Sequence, residues 1–370
     1  MDTSRRSMIK GLGAAALVSP LFKPFAVFGA DKADAKNLIT GKDAHKYEVI
    51  DGWAQLPDEY KLGNTHSVVE TADGRMIVHH QNGSVDSTAV FDPAGKFIKS
   101  WGKEYVGGAH GMQLRKEEGG EFLYLATTGQ RQIVKTDLDG NVVFKFGYPK
   151  DAKKADGSPV YAPSKDKAGK ERPAEATFTP TNIAFHPTDG SFYVADGYGS
   201  NYVHRFNAKG EYMSTFGGPG KGDGQLTTPH GIYTDTRDAA KPLIAIADRG
   251  NERLAYFDLD GKFVKNVKAS QKANAGTPYA HPCNLDGRGE YLVCPGLAGV
   301  VSILDKKNEV YTYLGDNPDA AARRNNNWPK EKMVAGFFVA PHGACFTKAG
   351  DVFVGEWVKI GRLTKLRLIA

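Results

Sequence analysis

The chain has 370 residues, 24% of them charged, with 48 basic against 42 acidic residues and a formal net charge of +6. That excess is too mild to argue for nucleic acid, and no nucleic-acid motif occurs in the chain. The N-terminal apolar stretch, Gly11 to Val18, is too short for a permanent membrane span.

That stretch follows Ser4-Arg5-Arg6-Ser7-Met8-Ile9-Lys10. Paired arginines before a mild apolar run read as a twin-arginine signal, which directs folded proteins across the bacterial membrane. Residues 1–35 are therefore expected to be a leader, cleaved between Ala30 and Ala35, with the mature protein periplasmic or secreted and the export machinery as a partner. Removal of Arg5, Arg6, Lys10 and Lys23 along with Asp2 leaves a charge of about +3.

Residues 36–370 read as one repeating body. A motif recurs as Asn64-Thr65-His66-Ser67, Gly108-Ala109-His110-Gly111, Thr228-Pro229-His230-Gly231, Tyr279-Ala280-His281-Pro282 and Ala340-Pro341-His342-Gly343, with threonine in Thr179-Pro180-Thr181-Asn182. Each copy opens a short apolar run. Others follow, such as Met76 to Val78, Leu123 to Leu125 and Phe192 to Val194, separated by turns such as Asp92-Pro93-Ala94-Gly95 and Asp260-Gly261-Lys262. Fourth runs end in Trp101-Gly102, Phe146-Gly147 and Phe216-Gly217. Four strands per unit of roughly 40 to 50 residues is the pattern of a propeller blade. About six units predict an all-β, six-bladed β-propeller, with Lys46 to Ile50 supplying an early strand that helps close the ring.

Two insertions interrupt the period, at 148–176 and 316–336. Both are read as solvated surface loops or as functional, mobile segments. Of the three cysteines, Cys283 and Cys294 flank a turn at Gly287-Arg288-Gly289-Glu290. Pairing outward sets Asp286 opposite Tyr291 and Cys283 opposite Cys294, as a cross-strand disulfide or as two buried thiols. Cys345 reads as a core residue.

The first strand of a propeller blade lines the central channel, so the recurring histidines open on one mouth. His110, His230 and His342 fall in the second, fourth and sixth blades, about 120° apart in a six-bladed ring. Three neutral imidazoles with an open position is the donor set of a catalytic zinc site. The alternative is a ring of histidines bonded to backbone and water. The glycine after each is read as room for the backbone to turn and a ligand to approach. His66 and His281, with His80 and Gln81, are read as substrate-facing or supporting groups. The loops between second and third strands return to the same mouth. They bring Tyr198, read as a general base or hydrogen-bond donor with its phenol lowered by the metal and Arg249, or else as a packed loop aromatic, and Arg249, which otherwise forms a structural ion pair with Glu252 or Asp248. Asp196 and Asp248 are read as turn-forming. Gly217 to Gly222 lacks the spacing of a phosphate loop.

Asp196-Gly197-Tyr198, Thr228-Pro229-His230-Gly231, Ala247 to Arg253 and Ala340-Pro341-His342-Gly343 resemble the peptidyl-α-hydroxyglycine α-amidating lyases, six-bladed propellers of the NHL-repeat type. The resemblance covers roughly residues 60 to 360. It implies cleavage of a peptidyl-α-hydroxyglycine to a peptide amide and glyoxylate. It also implies zinc on His110, His230 and His342, a catalytic Tyr198 and a neighbouring Arg249. Two departures stand out. An arginine expected at the end of the second strand of the first blade is replaced by His79-His80-Gln81. The acidic residue that follows the last histidine, associated with structural calcium, is Gly343, so the sequence does not support calcium. A divergent relative acting on another small-molecule or peptide substrate fits the same residues. The competing class is a non-catalytic propeller that binds a ligand or protein partner. A calcium-dependent lactone hydrolase needs channel carboxylates where this chain carries imidazole.

Overall fold

The computed structural model describes residues 38–166 and 168–369. The leader assigned from the sequence lies outside them. Six antiparallel sheets form the blades of a propeller. In chain order, blade 1 comprises Asn64–Glu70, Met76–Gln81, Thr88–Phe91 and Phe97–Trp101. Blade 2 comprises Ala109–Glu117, Gly120–Thr127, Gln132–Thr136 and Val142–Phe146. Blade 3 comprises Asn182–Phe185, Phe192–Ala195, Tyr202–Phe206 and Tyr212–Gly217. Blade 4 comprises Pro229–Asp235, Leu243–Asp248, Arg253–Phe257 and Phe263–Val267. Blade 5 comprises Asp286–Arg288, Tyr291–Gly296, Val300–Leu304 and Val310–Leu314.

Blade 6 is built from both ends of the described chain. Pro341–Phe346, Val352–Glu356 and Arg362–Leu368 are joined by His45–Ile50, with Ile39–Lys42 outside it. Tyr47 pairs with Leu368 and Ile50 with Lys365. The early strand therefore closes the ring as expected, and the last blade gains the outer strand it would otherwise lack.

Strand position is written in the burial pattern. The second strand of blade 3, Phe192–Ala195, is buried throughout, as a strand covered on both faces must be. The outer strand Val142–Phe146 alternates between exposed and half-buried residues. The apolar clusters bridge neighbouring blades. Tyr47, Val293, Val301, Phe346 and Leu366 join blades 5 and 6, and Trp53, Val78, Phe91, Phe353 and Leu363 join blades 6 and 1. No blade buries its faces alone, which is why the body behaves as one unit.

Two repeated sequence signals meet in one contact. The aromatic ring ending one blade packs beneath the turn glycine of the next: Trp101 under Gly140, Phe146 under Gly210, Phe216 under Gly261. Each glycine has positive φ, and a Cβ there would come within 2.4 to 3.0 Å of the ring.

The insertions are folded against the rim. In 148–176, Tyr148, Ala152, Val160 and Tyr161 pack with Phe178 and blade 3. The Tyr161 hydroxyl donates to Asp196 at 2.8 Å and meets Nε2 of His204 at 2.7 Å. In 316–336, Ala322, Trp328 and Met333 pack with Cys283, Val339 and Ala340 beside the channel mouth.

The cysteine register differs from the sequence reading. Arg288 pairs with Tyr291 and Asp286 with Val293, so the turn is the two residues Gly289 and Glu290. The Cys283 N–H then bonds the Pro295 carbonyl, so Cys283 does not sit opposite Cys294. All three cysteines are free and buried, and Cys345 lies in the apolar core. No helix among the described residues is long and apolar enough to cross a membrane.

Candidate metal centre and channel mouth

The histidines reach the axis because the first strands bulge where they sit. Thr65 pairs with His80 but Ser67 with His79, which leaves His66 between them without a partner. The same break falls at His110, His230 and His342. A bulged residue is released from the alternation of the ladder and re-aimed. Four imidazoles converge as a result. The rings of His110, His230 and His342 have centroids 4.5 to 5.0 Å apart. The His66 ring joins them, 4.6 Å from His110 and 4.4 Å from His342.

A threefold pattern orients the predicted trio. Each donates from Nδ1 to a backbone carbonyl of the following blade: His110 to Thr181 at 2.7 Å, His230 to Cys283 at 2.6 Å and His342 to His66 at 3.3 Å. Such a bond fixes the tautomer and makes Nε2 the acceptor nitrogen, the one that can meet a metal or a donated proton. The glycine after each histidine makes the contact possible. A Cβ on Gly111, Gly231 or Gly343 would lie 2.3 to 2.7 Å from backbone of the next blade. The close approach read from these glycines is thus made by a neighbouring blade.

Burial keeps the rings neutral. It lowers His110 to about 3 and holds His66, His230 and His342 well below the usual imidazole range, with mutual repulsion and the Arg249 charge adding to the effect. Ligand atoms of His66, His110 and His342 lie within 4.8 Å of one another, as do those of His230, Cys283 and His342. Neither group is the predicted trio: His110 falls in one, His230 with Cys283 in the other, and His342 in both. These donors, imidazoles with Nδ1 already bonded, a His66 ring with neither nitrogen paired and one thiol, are of the kind a borderline transition metal takes.

Tyr198 and Arg249 arrive on the loops between second and third strands. The Tyr198 hydroxyl donates to Nε2 of His230 at 2.8 Å and lies 3.3 Å from Nε2 of His110. Arg249 donates to the same oxygen at 3.2 Å and places its guanidinium 5.3 Å from the Tyr198 ring centre. Tyr198 as a residue is 44% exposed, yet its hydroxyl is set down among these groups. The phenol is raised, because desolvation outweighs the opposing pull of Arg249. The sequence reading of a lowered phenol therefore holds only for the direction of the Arg249 contribution.

Carboxylates strap the chain where it approaches the first strands of blades 3, 4 and 6. Asp196 accepts the Thr179 N–H at 2.6 Å, Asp248 the Thr227 N–H at 2.7 Å and Glu356 the Val339 N–H at 2.6 Å. These residues close the second strand of their blades, so their buried charge positions the start of the adjacent channel strand. His80 holds the equivalent place in blade 1. Its Nδ1 accepts the Gly63 N–H at 3.2 Å, and its Nε2 meets the Tyr60 hydroxyl at 2.9 Å. Both of its nitrogens are thereby occupied by the scaffold. Gln81 approaches the His66 ring but falls outside hydrogen-bond geometry.

His281 stands apart from the imidazole cluster. Its Nδ1 meets the Glu252 carboxylate, and its Nε2 accepts from Arg324 at 2.7 Å. Glu252, Ala280, His281 and Arg324 all have positive φ, a strained conformation for non-glycine residues. Arg324 belongs to the insertion 316–336, and its charge acts on the Cys283 thiol, to which Arg249 donates at 3.8 Å. Two guanidinium groups thus flank one side of the mouth. Sequence reasoning missed Arg324, Cys283 and Glu356. Only Glu356 carried a signal, an acid at the blade position of Asp196 and Asp248.

The far end of the channel holds a cavity of 340 Å³ lined by Glu70, Gln113, Asn284, Asp286 and Lys348 among others. Asn182 bonds Asn284 across the axis at 2.9 Å, between that cavity and the histidines. The convergence of imidazole, phenol and guanidinium makes the histidine end the candidate site.

Comparison with known proteins agrees with this architecture. A family model described as a 6-bladed beta-propeller matches residues 178–281. The chain is 27% identical over 306 residues to peptidyl-glycine alpha-amidating monooxygenase A of Xenopus laevis, covering 78% of this chain and 28% of that protein. It is 26% identical to mouse NHL repeat-containing protein 3, covering 56% of each. Among solved structures, a gluconolactonase from Xanthomonas campestris aligns with a TM-score of 0.55 at 13% identity, covering 92% of this chain and 94% of that one. The chain spans about a quarter of the length of the amidating monooxygenases it matches. It is a six-bladed β-propeller with NHL-repeat and amidating-monooxygenase relatives at modest identity.

Proposed function

We propose that this protein is a metal-dependent, lyase-like enzyme working at the histidine end of the channel. Its substrate class is a small or peptidyl compound with a hydroxyl next to a leaving nitrogen and a carboxylate, as in a peptidyl-α-hydroxyglycine. One observation carries the reading: the Tyr198 hydroxyl sits between Nε2 of His230 and Nε2 of His110, with Arg249 on the same oxygen. The likeness to an amidating monooxygenase supports it.

His110, His230 and His342 would hold zinc, which when bound supplies Lewis-acid polarisation of the substrate oxygen. The protein's own groups manage the proton and the charge. Tyr198 would act from its phenolate form, which burial disfavours and which Arg249, with the charge of a bound metal, would favour; in that form its oxygen takes the proton of the substrate hydroxyl. The C–O bond becomes a carbonyl, the C–N bond breaks, and Tyr198 returns the proton to the departing nitrogen. The products are an amide and glyoxylate, and Tyr198 ends as it began. Arg249 and Arg324 give the mouth the sign that suits a carboxylate. The twin-arginine leader adds the proposal that the enzyme folds and takes up its metal before export to the periplasm or beyond.

Elemental analysis of the mature protein, with His230→Ala alongside, tests the metal. About one zinc per chain, lost in the variant, is expected together with glyoxylate release from an α-hydroxyglycine peptide. No stoichiometric metal after zinc loading would leave a ligand- or partner-binding propeller as the better account.

A further inference from the structure

We infer that His66 is a fourth imidazole ligand of the channel metal. The inference rests on the metal reading above and extends it beyond the three histidines that the lyase resemblance supplies.

His66 is 4% exposed, and neither Nδ1 nor Nε2 has a hydrogen-bond partner among the described residues. A buried imidazole with both nitrogens unpaired is an unstable arrangement unless something else meets them. The other three histidines of the cluster each have Nδ1 bonded to the next blade. His79 also has an unpaired Nε2, but its Nδ1 is tied to Thr88 at 2.9 Å. His66 alone in the cluster keeps its whole ring in reserve, and that ring lies against His110 and His342.

The local backbone is built to hold it there. His66 occupies the bulge of its first strand, as the trio does. Its own carbonyl accepts from His342, so its main chain is already part of the frame that aims a ligand. The next residue, Ser67, donates to the His110 carbonyl at 3.0 Å and accepts the Met112 N–H at 3.0 Å, locking blade 1 to blade 2 beside the bulge. The ligand atoms of His66, His110 and His342 fall within 4.8 Å of one another, a reach that one ion can span with small ring rotations.

Four neutral imidazoles change the character of the site. Cys283 Sγ lies within reach of the His230 and His342 ligand atoms, and with four imidazoles in place a substrate oxygen would add as a fifth donor. A fourth nitrogen donor also suits iron, nickel or copper as well as zinc.

The test counts imidazoles on the full mature chain loaded with Zn(II), by X-ray absorption, and with Cu(II), by pulsed electron–nuclear resonance. Four are expected in the wild type and three in His66→Ala, with the variant's affinity for Zn(II) against a competing chelator weaker by at least about 10-fold. A wild type with three imidazoles, or an unchanged affinity in a folded His66→Ala, overturns the inference and leaves the three-histidine enzyme standing. A wild type that binds no metal overturns both. If His66→Ala does not fold, the wild-type count decides.

Discussion

The Tyr198 hydroxyl lies 2.8 Å from Nε2 of His230. His230 donates from Nδ1 to Cys283, so its Nε2 is an acceptor and the phenol proton points at it. The pair joins a loop of blade 3 to the channel strand of blade 4. A proton-handling group and a candidate metal ligand thereby share one hydrogen bond, and Arg249 controls the charge on it.

Replacing Tyr198 with Phe removes that oxygen and keeps the ring. Turnover of an α-hydroxyglycine peptide should fall about 100- to 10,000-fold, the range for loss of a positioned acid–base group. Metal content should stay the same, because the histidines keep their backbone anchors. Parallel glyoxylate assays and elemental analysis check both halves. Full activity in Tyr198→Phe would remove the phenol from the mechanism.

Arg249→Gln should move the Tyr198 titration further up. Burial already raises the phenol, and Arg249 is the first group opposing it. Without the cation the phenolate is less stable, so the fraction available at a given pH shrinks. The alkaline shift should appear in the pH dependence of glyoxylate release and in the ultraviolet difference spectrum of tyrosinate, read against Tyr198→Phe. A downward shift would contradict the charge pairing.

Much of this arrangement was legible in the chain, for physical reasons that differ by residue. The blades announced themselves because Asp-Gly turns and aromatic endings repeat, and the structure shows these signals in contact, as where Trp101 packs under Gly140. His110, His230 and His342 were visible through their period. The role of the following glycines was not, since nothing in one strand reveals how near the next blade's backbone lies. Arg324 was hidden because an insertion has no period to place it against the mouth. His80 sat in plain view beside Gln81, but only the register exposed it as the blade 1 counterpart of Asp248. The cysteine register failed because a two-residue turn replaced the four-residue one assumed.

Gly231→Ala tests the contact between blades. Its Cβ would sit 2.6 Å from the Asn284 Cα and 2.7 Å from the Cys283 carbonyl oxygen, both backbone atoms that cannot swing aside. Blade 5 must shift, which costs about 1 to 3 kcal/mol of stability. The His230 anchor on Cys283 loosens with it, and metal affinity should fall about 10- to 100-fold as for loss of an orienting partner. Denaturant unfolding and a chelator competition measure the two effects. A stable variant with unchanged affinity would show that the anchor does not orient the ligand.

Acid should unfold the metal-free chain through its histidines. Burial lowers His79, His110 and His204 to about 3, and His45 and His80 to about 4, from an ordinary value of 6.5. Below 6.5 the unfolded chain takes up protons that the folded chain refuses. Stability is therefore complete above that pH and is lost as pH falls from 6.5 toward 3. The slope of unfolding free energy against pH in that window should correspond to several protons per chain. Bound metal should steepen the loss, since the same imidazoles must then give up the ion before they protonate. Denaturant titrations at a series of pH values, with and without chelator, read the slope directly. A slope below about two protons in the metal-free chain would mean these rings are open to water in solution.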